Sequence, residues 1–177
     1  MTESKQKLMD LLTNEIKTES GTATFIWHPD IILENVPVTQ TYGFCLTNDN
    51  KVVLVRDKAK TTFSLPGGGV EKGETPEETL IREFHEETEF TPIDIKLMGS
   101  QEVIEKDLNG NVLKHSQHVR FFCRPDKIEE FIPEKDGWEI VERIFVEPNE
   151  VVKYIHWINT PGGKAQFEYF LQLAKLK

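Results

Sequence analysis

GGGVEKGETPEETLIREFHEETEF, residues Gly67 to Phe90, places carboxylates where helix energetics disfavour them, and the rest of the chain can be read as its scaffold. Thr75-Pro76-Glu77-Glu78 is a helix start. Threonine suits the N-cap, proline suits the first helical position, and the glutamate three residues after the cap can close a capping box. The helix is expected to run to about Thr88. Leu80, Ile81 and Phe84 give it an apolar stripe bound for a core. Glu83, Glu86 and Glu87 are related by i, i+3 and i, i+4, which gathers three carboxylates on a neighbouring face.

Each like-charged pair at that spacing costs roughly 0.2–0.5 kcal/mol on a solvated helix. Glu86, Glu87 and Glu89 also fall in or just past the last turn, where the macrodipole favours cations by about 0.3–1 kcal/mol per charge. A solvated acidic face is the plain alternative. It competes poorly here, because Glu77 and Glu78 at the front of the helix obey the dipole while the acids at the back defy it. A divalent cation would reverse the sign of the penalty. Clustered carboxylates with no cysteine or histidine partner suit Mg²⁺, or Mn²⁺, better than zinc.

The fixed spacing is more specific than the charge. Gly68, then Glu74, then Arg82-Glu83-Phe84, then Glu86-Glu87, and Phe90 two residues after Thr88 resemble the Nudix box. In that family a loop, helix and loop bind divalent metal and hydrolyse a nucleoside diphosphate linked to another moiety. The resemblance implies a Nudix-like α/β/α sandwich, with a mixed β-sheet flanked by helices, formed by residues 1–177 as one domain with 1–36 as an N-terminal extension. It makes Glu83, Glu86, Glu87 and the Gly67 carbonyl the expected metal ligands. Arg82 is expected to orient the acidic cluster and Glu74 to support the loop and helix. One position departs from the family pattern: Glu89 stands where the family has glycine. That glycine resembles a left-handed helix C-cap, which a glutamate adopts at a cost of order 1 kcal/mol.

At 177 residues the chain fits one domain with a sizeable core. Its 30 acidic residues against 21 Lys and Arg give a net charge of −9, which disfavours nonspecific binding to nucleic acid or an anionic membrane. Cys45 and Cys123 lie in apolar runs and read as buried thiols. The N-terminus MTESKQKLMD is polar, and no long apolar segment follows, so a cytoplasmic location is expected.

Leu8, Leu11, Leu12 and Ile16 predict an amphipathic helix over 3–18, which could pair two subunits or cap one sheet. TATFIWHPDIIL, residues 22–33, predicts two short strands around His28-Pro29-Asp30. Trp27 and His28 could wall a base or sugar, though a packed aromatic beside a turn is the simpler reading. Strands over 38–46 and 51–56, joined at Asn48-Asp49-Asn50, predict a hairpin, and a short strand is expected over 61–65. Gly67-Gly68-Gly69 lacks the sequence of a dinucleotide fold or P-loop. Its expected role is to let backbone approach the metal and a diphosphate without side-chain obstruction. Strands are expected over 93–104, 118–124 and 138–146, with Asn109-Gly110 a turn. A helix is expected from Pro148 to about His156. Pro161-Gly162-Gly163-Lys164 predicts a turn before a last helix over 163–175.

Diphosphate hydrolysis also needs a base. Glu83 and Glu86 are candidates within the motif. Alignment with the family's late strand brings Glu139 to the usual position, with Glu142 as second choice. H-E-x-x-H is absent because residue 89 is glutamate, so His85 does not begin a zinc-protease helix. His115 and His118 read as loop residues, with phosphate contact the alternative. The sequence therefore points to a Mg²⁺-dependent pyrophosphohydrolase acting on a nucleotide-type small molecule such as a nucleoside triphosphate, a nucleotide sugar or ADP-ribose. The alternative is a catalytically silent nucleotide-binding or sensing domain on the same fold.

Overall fold

A computed structural model describes residues 12–128, 130–131 and 140–176. The strands are β1 (Thr13–Thr18), β2 (Gly21–Pro29), β3 (Val38–Cys45), β4 (Val52–Asp57), β5 (Gly67–Gly69), β6 (Pro92–Asp107), β7 (Val112–Pro125) and β8 (Ile140–Val146). The helices are α1 (Pro76–Thr88), α2 (Val151–Tyr154) and α3 (Pro161–Ala174), with 3-10 turns at Pro148–Glu150 and His156–Asn159. The expected α/β class holds. Strands β1-β2-β6-β7-β3-β5 follow one another in one sheet, and β4 pairs with β8 in a second ladder. The sheet is mixed: β1–β2, β2–β6 and β3–β5 are antiparallel. β7 runs with β3, since the Gln117 N–H donates to the Pro37 carbonyl and the Leu46 N–H to the Cys123 carbonyl.

The chain divides into two compact units, and β3, β6 and β7 each contribute residues to both. One unit comprises 1–39, 97–120 and 157–177. Its core includes Trp27, Val103, Ile158, Phe167 and Phe170. Arg120 is buried there, donating to Gln101 at 3.0 Å and Gln166 at 3.2 Å, with its guanidinium over the Trp157 ring. A buried charge needs such partners to offset its desolvation. The other unit comprises 40–96 and 121–156. Leu80 and Phe84 of α1 are fully buried in it, together with Phe44, Leu54 and Val55.

The start of α1 follows the sequence closely. The Thr75 side chain accepts from the Glu78 N–H at 3.2 Å, and the Glu78 carboxylate accepts from the Thr75 N–H at 2.8 Å. Both members of the capping box are therefore formed.

Several expectations are corrected. The helix predicted over 3–18 falls partly on residues 1–11, outside the described residues; Thr13–Thr18 is β1, paired with β2 from Thr13↔Ile26 to Thr18↔Gly21. Thr13, Asn14 and Thr18 are weak helix formers, and a full antiparallel ladder satisfies their backbone. Ile16, part of the supposed buried stripe, is half exposed. Within residues 22–33 there is one strand and not two, and it ends at Pro29, where Asp30 turns at φ 63° and its N–H donates to the Met98 carbonyl. The hairpin over 38–56 shrinks to a single Leu46↔Val52 bridge, and β4 takes β8 as its partner. Over 61–65 only Ser64 bridges, to Val55. The turn placed at 161–164 is instead the first turn of α3, whose Thr160 N-cap accepts from the Gly163 N–H. Among the described residues no helix is long and apolar enough to cross a membrane.

Replacing Thr75 with Ala removes the side-chain half of the capping box and should destabilise the protein by about 1 kcal/mol. Thermal unfolding is expected to shift down by roughly 2–4 °C. An unchanged midpoint would contradict the cap's contribution.

Candidate functional site

The site is built by β5 and α1, which lie in the same compact unit. β5 pairs with β3 through Tyr42↔Gly67, Thr41↔Gly68 and Gln40↔Gly69. Gly67 has φ 137°, and a Cβ there would strike the Thr41 carbonyl, so backbone geometry alone requires glycine. At Gly68 the obstacle is different: an added Cβ would lie 2.5–2.7 Å from the Glu83 carboxylate. Gly68 is thus the space into which Glu83 projects.

Arg82 ties the site together. Its Nε donates to Glu74 Oε1 at 2.7 Å, and its Nη2 donates to Glu74 Oε2 at 3.0 Å and to the Gly69 carbonyl at 2.9 Å. Its Nη1 donates to Glu83 Oε1 at 2.9 Å and to Glu86 Oε2 at 3.2 Å. A planar guanidinium can serve this many oxygens at once, which an ammonium cannot. Glu74 also accepts from the Thr79 hydroxyl at 2.8 Å and from the Glu71 N–H at 3.0 Å. Glu87 faces the β5 backbone, accepting from the Gly67 N–H at 2.7 Å.

Their electrostatics differ accordingly. Hydrogen bonds from Arg82, first, and then from Glu71 and Thr79 hold the Glu74 carboxyl down at about 2. Arg82 is driven above its ordinary value, chiefly by Glu74. The Glu83 carboxyl is pushed up, mainly by burial, with Glu86 and Glu74 adding to the rise and Arg82 opposing it. Its side chain is 14% exposed, against 56% for Glu86. Glu83 is a partly desolvated anion among like charges, a setting that an added cation would relieve.

The donor set fits a hard divalent ion: Glu83, Glu86 and Glu87 on one helix face and backbone carbonyls of β5 beside them. Among the described residues no three such groups are drawn tightly enough to grip an ion as they stand. Arg82 bridges Glu83 and Glu86, and the Gly67 N–H engages Glu87, so binding would require these side chains to re-aim while the backbone stays in place.

The other candidates fall elsewhere. Glu139 lies outside the described residues. Glu142, the second choice of base, accepts from Arg56 Nε at 2.9 Å and Nη2 at 2.7 Å, an ion pair that ties β8 to β4. His28, His115 and His118 belong to the other compact unit. Glu102 joins two of them, accepting from His28 Nε2 at 2.9 Å and His115 Nε2 at 2.7 Å when each carries its proton there. His118 is held down at about 3 by burial, with Arg120 and Lys114 adding, so it is neutral and ill-suited to pair with phosphate. Trp27 is buried core, which removes it as an exposed wall for a base. Sequence reasoning gave no role to Thr79, the Glu74 partner, or to Arg143, whose Nη1 donates to the Thr88 carbonyl at the end of α1. An i, i+5 contact and a contact across 55 residues leave no local periodic signal.

The sequence model for the NUDIX domain matches residues 38–167, most of the chain and all of this site. The chain belongs to the Nudix family. It is 35% identical over 89 residues to an ADP-ribose pyrophosphatase from Methanocaldococcus jannaschii, an alignment covering 49% of this chain and 47% of that one. It is 40% identical over 53 residues to an RNA pyrophosphohydrolase from Pseudoalteromonas translucida, covering 30% and 31%. The chain thus spans about half, or less, of the length of these curated relatives. A crystal structure of the Bacillus subtilis pyrophosphohydrolase aligns over 93% of this chain and 99% of that one, with a TM-score of 0.69 and 18% identity, a likeness of fold.

Because the folded-state pKa of Glu74 is depressed, its contribution to stability is present above its ordinary value of 4.5 and lost as pH falls toward about 2. Glu74→Gln should therefore flatten the dependence of unfolding free energy on pH across that window. An identical slope in the variant would show that the Arg82–Glu74 pair adds no folding linkage. Gly68→Ala should force Glu83 aside and lower turnover at least about tenfold, with fluorescence and circular dichroism of a folded protein retained. Wild-type turnover would contradict the close approach.

Proposed function

We propose that this Nudix chain is a divalent-metal-dependent pyrophosphohydrolase acting on a nucleoside diphosphate linked to another moiety. The observation that carries the reading is the single guanidinium, Arg82, that holds Glu74, Glu83, Glu86 and the Gly69 carbonyl in one array. Arg82 brings one positive charge to three carboxylates, so the array stays net negative and a divalent cation would relieve the rest.

Glu83, Glu86, Glu87 and the Gly67 carbonyl would hold Mg²⁺ or Mn²⁺, which when bound would supply charge neutralisation for the diphosphate and acidify water. The chain's own residues do the rest. Arg82 holds Glu83 beside Gly68 and keeps Glu86 next to it. Glu74 anchors Arg82 from the loop side, with Thr79 fixing the carboxylate. Gly67, Gly68 and Gly69 present backbone without side chains between the carboxylates and a phosphate. Glu86, the exposed member of the array, or Glu83 beside it would accept a proton from attacking water on its carboxylate. Glu139 remains the candidate base outside the motif. Glu142 stays the second choice there, with its carboxylate paired to Arg56.

A catalytically silent binding domain was the competing reading, motivated by Glu89. Glu89 nevertheless takes the left-handed exit at φ 59°, and its N–H reaches the His85 carbonyl at 3.1 Å, so the exit geometry expected of glycine is kept. Small nucleotide substrates are favoured by the net charge of −9 and by the broader of the two curated matches, that to an ADP-ribose pyrophosphatase. The match to an RNA pyrophosphohydrolase makes a triphosphorylated RNA end the competing substrate.

The test is product release from ADP-ribose, nucleoside triphosphates, nucleotide sugars, dinucleoside polyphosphates and a short 5′-triphosphate RNA, with Mg²⁺ and with EDTA. Metal-dependent cleavage of one small-molecule class is expected. Glu86→Gln should abolish that turnover while the protein stays folded. Cleavage of the RNA alone would overturn the substrate reading, and wild-type rates in Glu86→Gln would overturn the assignment of the cluster.

A further inference from the structure

The end of α1 poses a problem that its own sequence does not solve. Glu86, Glu87 and Glu89 crowd the negative pole of the helix, and within the last turn His85 is the sole basic residue. Glu89 in addition holds a left-handed conformation that favours glycine.

Arg143 of β8 meets both difficulties. Its Nη1 donates to the Thr88 carbonyl, one of the oxygens a helix leaves without an internal partner. Its guanidinium carbon lies 5.5, 5.2 and 5.3 Å from the ring centroids of Phe90, Phe131 and Phe145. Those faces confine the cation and thin the water around it, which strengthens its action on nearby charge. Burial lowers the Arg143 pKa while the charge of Glu89 opposes that fall, so the two side chains sense each other. The neighbouring carbonyls are served too: the Thr88 hydroxyl donates to the Phe84 carbonyl, and the Glu89 N–H to that of His85. Register places Arg143 opposite Val55 in the β4–β8 ladder, a rigid origin for its reach.

We propose that Arg143 is a positioning residue for the metal-ligand end of α1: capping Thr88 and facing Glu89, it substitutes for the glycine exit and holds Glu86 and Glu87 in place. Its effect on catalysis rests on the metal-site reading given above; its effect on the helix end does not. Arginine suits the task because it can stack on rings while donating in a fixed plane.

The experiment compares wild type, Arg143→Met, Arg143→Lys, Glu89→Gly and the Arg143→Met/Glu89→Gly pair. Hydrogen exchange is read at the amide of residue 89 and at that of Thr79, which donates to Thr75 at the other end of the same helix. Mn²⁺ affinity, kcat and KM are measured alongside. Arg143→Met should speed exchange at residue 89 about fivefold with Thr79 unchanged, weaken Mn²⁺ binding by a similar factor, and lower kcat with KM near wild type. Arg143→Lys should fall between the two. Adding Glu89→Gly should restore all three, because glycine needs no help at a left-handed exit. Equal acceleration at Thr79, unaltered exchange at residue 89, or no restoration by Glu89→Gly would each overturn the proposal. If wild type neither binds Mn²⁺ nor turns over, the metal reading fails, and the exchange data still decide the role of Arg143.

Discussion

Five hydrogen bonds from one guanidinium organise the centre of this protein. Arg82 sits among Glu74, Glu83, Glu86 and the Gly69 carbonyl, partners drawn from β5, the loop before α1 and α1 itself. Without a cation at that point, carboxylates on adjacent helical turns would repel one another and turn to solvent. With it, Glu83 is held against Gly68 in a strand of three glycines, where backbone can come close and side chains cannot interfere. The capping box at Thr75 and the buried pair Leu80 and Phe84 set the helix at the register that makes this geometry available. Stability and function are in tension here, because the residues that crowd the helix end are those proposed to hold the metal.

The motif was legible in the sequence for a physical reason. Its interactions are local, so the spacing of Glu74, Arg82, Glu83, Glu86 and Glu87 encodes the contacts directly through helical periodicity and a tight loop. The helix start was equally clear, since Thr75, Pro76 and Glu78 act within one turn. The buried positions Leu80 and Phe84 followed from the same period, whereas Ile81, read into the same stripe, is exposed.

Elsewhere the determining contacts are distant in sequence, and local reading failed in proportion. Ile16 continues the helical spacing of Leu8, Leu11 and Leu12 in the sequence, yet pairing of Thr13–Thr18 with β2 decided its state. β4 has a turn before it that suggests a hairpin with β3, yet its partner β8 arrives some ninety residues later. Glu142, the second choice of base by alignment, is bonded to Arg56, a pairing that depends on the β4–β8 register and leaves no local signal. β7 begins at Val112, earlier than the expected 118, so His115, read as a loop residue, lies in the strand and bonds Glu102. The departure at Glu89 was visible in the sequence, but its accommodation by a residue of β8 was not.

The central claim is that a divalent ion binds where Arg82 gathers the carboxylates against β5. Paramagnetic broadening of amide resonances by substoichiometric Mn²⁺ tests it without reference to any substrate. The account predicts selective loss of signals from Gly67 to Gly69 and from Glu83 to Thr88, reversed by excess Mg²⁺. Broadening centred instead on Glu102, His28 and His115, or none at all in the folded protein, would contradict it.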